Sequence, residues 1–91
     1  RVALSYFGPN GTVYTPYPEI KFHVQGDTRL SLMSVTLDGQ NITSALNFDG
    51  TYFYTRSPFA LSPGQHRVQV LGRTRDGAEF NRIWTFYQGS Q

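Results

Sequence analysis

Four Asn-Gly or Asp-Gly pairs, at Asn10-Gly11, Asp38-Gly39, Asp49-Gly50 and Asp76-Gly77, cut this chain into short segments rich in β-branched and aromatic residues. Both central residues of a type I′ turn need positive φ, which glycine adopts freely and Asn or Asp tolerate. The pattern predicts short strands joined by tight turns. No segment keeps helical periodicity for the roughly ten residues a helix would need, so the chain is expected to be all-β.

Alternation of apolar and polar residues places the strands. Arg1 to Tyr6 reads as a first strand with Val2, Leu4 and Tyr6 on one face, and Thr12 to Thr15 as its short continuation. Pro16 and Pro18, which lack N–H groups, mark an edge or a switch between sheets. Glu19 to Gln25 puts Ile20, Phe22 and Val24 inward and Lys21, His23 and Gln25 outward. Leu30 to Asp38 offers Val35 and Leu37 to the core, with Ile42 and Thr43 as a short partner. Ser44 to Phe48 covers the core as loop, helical turn or strand. Tyr52 to Arg56 is a strand whose inward side is either Tyr52/Tyr54 or Phe53. His66 to Val70 and Glu79 to Tyr87 complete about seven strands, with Val68, Val70, Phe80, Trp84 and Phe86 inward. That number and spacing predict a sandwich of two antiparallel sheets with Greek-key connections.

Ninety-one residues suit one such domain, and seven Phe, six Tyr and one Trp supply its core. Residues 1–91 are therefore expected to form a single domain. The absence of cysteine excludes disulfides and thiolate metal sites. The chain starts at Arg1 and contains no apolar run approaching the ~20 residues that span a bilayer, so it is expected to be a piece of a longer protein with no membrane insertion. Its net charge of +2 rests on dispersed arginines, with Lys21 the single lysine, a distribution that points away from nucleic acid.

Three stretches carry a resemblance: Ser34-Val35-Thr36-Leu37-Asp38-Gly39-Gln40-Asn41-Ile42-Thr43, Leu61-Ser62-Pro63-Gly64-Gln65-His66-Arg67-Val68-Gln69-Val70, and Asp76-Gly77 followed by Trp84-Thr85-Phe86. Over residues 13–88 the chain resembles the bacterial immunoglobulin-like modules of secreted and cell-surface proteins. The resemblance implies an immunoglobulin-like sandwich that acts as a spacer, adhesin segment or accessory domain, usually in tandem. The second stretch also resembles fibronectin type III modules, although His66 stands where that family commonly has a tyrosine and Trp84 lies in the last strand.

Chemistry-bearing groups are sparse. His66 shares the parity of Val68 and Val70 and is expected at the edge of the core, while His23 falls on a polar face. Two histidines without metal-ligand spacing, and no G-x-S-x-G elbow, argue against a transition-metal site and against an enzyme. Glu19, Asp76 and Glu79 are the carboxylates available for glycoside hydrolysis, but a small sandwich has little room for the cleft between them. Asp27, Asp38, Asp49 and Asp76 stand singly in turns, whereas a calcium loop gathers several carboxylates locally. Asn10-Gly11-Thr12 and Asn41-Ile42-Thr43 match the glycosylation sequence but read as turn residues. No cofactor is expected.

Two contact surfaces remain. Arg67, Arg73, Arg75 and Arg82 are expected to cluster as a cationic patch if the last two strands pair, with Leu71, Ile83 and Tyr87 pointing outward from the same hairpin. Tyr14, Tyr17, Phe53 and Tyr87 are candidates for stacking on sugar rings, and an exposed coplanar pair of rings would mark such a site. The expected function is a non-catalytic structural or adhesive module of an extracytoplasmic bacterial protein, meeting neighbouring domains or a protein partner. The alternative is a carbohydrate-binding accessory module.

Overall fold

The computed structural model describes residues 3–26 and 30–89, so the expectations for Val2 and Asp27 lie outside the described residues. Its strands are β1 (Ala3–Gly8), β2 (Thr12–Val13), β3 (Glu19–Gln25), β4 (Leu30–Leu37), β5 (Gln40–Asn41), β6 (Asn47–Phe48), β7 (Phe53–Arg56), β8 (Gly64–Thr74) and β9 (Glu79–Gln88), with a 3₁₀ turn at Thr43–Ala45. They form a four-stranded sheet in the order β1-β3-β7-β6 and a five-stranded sheet in the order β2-β9-β8-β4-β5.

Each sheet has one apolar face, and the two faces meet. β3 buries Ile20, Phe22 and Val24, β4 buries Val35 and Leu37, and β8 and β9 bury Val68, Val70, Trp84 and Phe86. With Leu4 these make ten buried residues that alternation placed inward, Ile42 and Leu61 join them from connecting segments, and Phe80 packs against them half-buried. The β7 ambiguity resolves in favour of Phe53, which stacks on Phe22 at 5.4 Å between ring centroids and leaves Tyr52 and Tyr54 half-exposed on the other side.

Two expectations fail at the start of the chain. A register shift between Leu4 and Tyr6 flips the second half of β1, so Phe7 packs on Trp84 at 4.8 Å while Tyr6 turns outward. One extra residue in a strand exchanges its faces. Thr12–Val13 does not continue β1 either: the chain crosses to the other sheet over Pro9–Gly11, and β2 pairs parallel with the end of β9. The sandwich is therefore not wholly antiparallel.

The turn pairs differ from one another. Asp38 and Gly39 have φ of +52° and +83° and close a two-residue hairpin between β4 and β5, as type I′ requires. At the other three pairs only the glycine has positive φ. Gly50 takes the first central position between Asp49 and Tyr52, whose N–H and C=O are joined at 3.1 Å. Gly77 ends a three-residue connection closed by the Thr74 N–H on the Ala78 carbonyl at 2.8 Å.

Candidate contact surface on the five-stranded sheet

The outer face of the five-stranded sheet follows from its register. Leu71 on β8 lies opposite Ser34 on β4 and Asn81 on β9, Arg73 lies opposite Leu32 and Glu79, and Gln69 lies opposite Thr36 and Ile83. Leu32, Leu71 and Ile83 thus step diagonally across three strands, and diagonal neighbours on one face sit about 7–8 Å apart. They are 62%, 42% and 44% exposed, a continuous apolar line facing solvent. Beside it Leu32, Leu71, Arg73, Glu79, Phe80 and Asn81 line an open groove of ≈ 390 Å³. Tyr87 is exposed further along β9, opposite Gln65.

The arginines do not gather into a patch. Arg67 and Arg73 share the outer face but stand six residues apart on β8, or about 20 Å at the strand rise. Arg73 is ion-paired with Glu79 across the hairpin. Arg75 lies in the connection after β8. Arg82 is directly opposite Val70, so its side chain leaves from the inner side of β9, where its guanidinium lies 5.1 Å over the Phe7 ring. The apolar line, not the cationic cluster, is what the hairpin presents.

The aromatic candidates also disperse. Tyr14 and Tyr17 are exposed on the connection between β2 and β3. Phe53 is half-buried: it stacks between Phe22, which is buried, and Phe48, which is exposed and 4.5 Å away. A cluster that sequence reading missed sits on the outer face of the four-stranded sheet, where Tyr6 meets Tyr52 at 5.6 Å and the Lys21 ammonium lies 4.4 Å over Tyr52. These two tyrosines are 82° apart in plane, an edge-on arrangement that offers no flat platform to a sugar ring. His23 belongs to the same cluster, its Nδ1–H donating to the Thr51 carbonyl at 2.7 Å.

The turn carboxylates are engaged locally. Asp49 accepts the N–H groups of Thr51 (2.9 Å) and Tyr52 (2.7 Å), which hold its carboxyl below the usual range. Asp76 is held low in the same way, by the Thr74 hydroxyl and the Ala78 N–H. Asp38 accepts the Arg67 N–H at 2.9 Å and meets His66 Nδ1 at 2.5 Å. Among the described residues no three His, Asp or Glu side chains come together as a metal site, and no helix is long and apolar enough to cross a membrane. Asn10 and Asn41 both hydrogen-bond to nearby backbone, with Phe7 and Thr43 respectively.

No family model matches the sequence, and no curated protein matches it as a relative. Solved structures do match its shape over the whole chain. CopC from Methylosinus trichosporium OB3b superposes with a TM-score of 0.73 at 12% identity, covering 100% of this chain and 96% of that one. The fibronectin(III)-like modules of Clostridium thermocellum CbhA give 0.59 at 15% identity, covering 99% and 98%. A mutant complex of titin M10 with an obscurin-like 1 Ig domain gives 0.61 at 16% identity, covering 99% and 94%. The chain is an immunoglobulin-like β-sandwich module. In such sandwiches a tyrosine at the start of the strand occupied here by β8 bonds back to the preceding backbone. In this module His66 takes that place, its Nε2 lying 2.7 Å from the Ser62 carbonyl.

Proposed function

We propose that this module is a non-catalytic, contact-making domain of a longer extracytoplasmic protein, which orients a neighbouring domain or engages a protein partner through the outer face of its five-stranded sheet. The observation that carries the reading is the exposed diagonal of Leu32, Leu71 and Ile83. Isolated surface apolar residues need no explanation, but a contiguous line of them is unfavourable in water and is a mark of contact surfaces. Structural likeness to an immunoglobulin domain solved in a complex with a protein partner supports the reading. Carbohydrate binding is the second reading, weakened by the separation of Tyr14 and Tyr17 from Phe53 and by the edge-on pairing of Tyr6 and Tyr52.

A photo-activatable residue at position 71 of the full-length protein, in its native cell, is expected to crosslink to another domain or protein outside the cytoplasm. The same residue at position 25, exposed on β3 of the other sheet, is expected to stay silent. Equal labelling at both positions, or a cytoplasmic location, sinks the proposal. Salt-resistant glycan binding that vanishes on Tyr14→Ala or Tyr17→Ala replaces it with the carbohydrate reading.

A further inference from the structure

Strand β9 is paired with β8 from Glu79 to Gln88 without a break in register. Along its other side β2 reaches only Tyr87 and Gln88. Alternate residues of a strand direct their backbone N–H and C=O groups to opposite sides. The Tyr87 N–H goes to the Gly11 carbonyl and the Gly89 N–H to the Val13 carbonyl, each at 2.8 Å, so the odd-numbered residues face away from β8. Asn81, Ile83 and Thr85 therefore turn their N–H and C=O groups to an open edge, where no strand meets them among the described residues.

Open edges template pairing with other chains, and proteins blunt them with short strands, bulges, prolines and charges. The other edges here are treated in these ways. β5 and β6 are two residues long, and β2 is equally short and runs on toward Pro16 and Pro18. β1 carries a bulge between Leu4 and Tyr6, and the open part of β4 another between Leu30 and Leu32. The Glu79–Thr85 stretch of β9 has no proline, no glycine and no register break, and of its two charges Glu79 is taken up by Arg73, which leaves Arg82 as the one charge guarding this edge among the described residues.

The flanking side chains set what the edge accepts. On the outer side Ile83 and Thr85 stand next to the edge, with Leu71 behind them. On the inner side Arg82 is exposed and has no carboxylate partner among the described residues. We infer that β9 accepts an extended segment of a partner protein as an added strand, bonded to the main chain of Asn81, Ile83 and Thr85. The segment sets β-branched residues against Ile83 and a carboxylate against Arg82. The inference rests on the contact reading above and narrows it from a face to an edge.

Ile83→Pro, read against Ile83→Ala as the control for the lost side chain, separates this from side-chain docking, because the Ile83 N–H points to the open edge and its loss leaves the ladder to β8 whole. The probe is a synthetic peptide alternating valine or threonine with glutamate, titrated into the isotopically labelled chain. In the free protein the amides of Asn81, Ile83 and Thr85 are expected to exchange with solvent deuterium much faster than those of Arg82 and Trp84. Saturating peptide is expected to slow the first three about tenfold or more. Ile83→Pro and Arg82→Glu are each expected to weaken binding about tenfold, and Arg82→Glu to transfer preference to the lysine version of the peptide. If Ile83→Pro fails to fold, the charge exchange at Arg82 decides alone. Unchanged exchange at the three amides in millimolar peptide overturns strand addition, as does binding indifferent to both substitutions. In either event crosslinking from position 71 still reports on the contact reading independently.

Discussion

His66 is the residue whose surroundings most constrain its chemistry. Its two ring nitrogens face two acceptors, the Asp38 carboxylate at 2.5 Å and the Ser62 carbonyl at 2.7 Å. A neutral imidazole carries one N–H, so only the imidazolium satisfies both. Burial pushes the ring toward the neutral form, but the hydrogen bonds to Asp38 and Ser62 and the Asp38 charge outweigh it, raising the pKa above 6.5. A group whose pKa is raised on folding contributes stability that is fully present below its unfolded value and is lost as pH rises through the folded one. Asp38→Asn keeps a residue that tolerates positive φ in the β4–β5 turn while removing the charge. The difference in melting temperature between the natural chain and Asp38→Asn is expected to be widest near about pH 6 and to narrow toward about pH 9. A difference independent of pH would show that the pair contributes through geometry alone. The inward position of His66 was legible from its parity with Val68 and Val70, whereas its partner was not, because Asp38 is 28 residues away and reaches it only once β4 has paired with β8.

Elements show where alternation suffices and where it fails. β3, β8 and β9 run without internal register breaks, and their inward residues follow directly from spacing two. β1 and β4 each contain a shift, and in β1 the rule misplaced Tyr6; in β4 the shift precedes Leu32, which keeps the outward parity of Ser34 and Thr36. A bulge leaves little trace in a stretch such as Leu4-Ser5-Tyr6-Phe7, where either aromatic could fill the core. The arginine cluster failed for a reason visible in the numbers themselves: Arg67 and Arg73 share the parity of exposed residues on β8, while Arg82 shares that of buried Trp84 on β9. The same pairing explains Gly72. Phe80 lies directly opposite it and its ring occupies the space a Cβ would need. Gly72→Ala is expected to force the ring outward and to lower stability by about 1–3 kcal/mol, read from the urea midpoint. An unchanged midpoint would mean that Phe80 gives way freely.

At the scale of the molecule, the sandwich is 45 × 22 × 21 Å and Trp84 is the largest side chain in its core. Trp84 is 6% exposed and packs on Phe7, and its indole Nε1 is buried without a hydrogen-bond partner among the described residues. Trp84→Ala is expected to cost about 3–5 kcal/mol, a large share of the stability of a domain this size. A shift in the urea midpoint worth under about 1 kcal/mol would contradict that central place. The ends of the described chain lie far apart, since Ala3 borders Glu79 and Phe80 at the start of β9 while Gly89 follows its last residue, about 30 Å away at the strand rise. Between them, the parallel contact of β2 with Tyr87 and Gln88 ties the departing strand to the sheet with bonds running across its axis. Tension drawn along the chain therefore loads these bonds together in shear instead of peeling them singly.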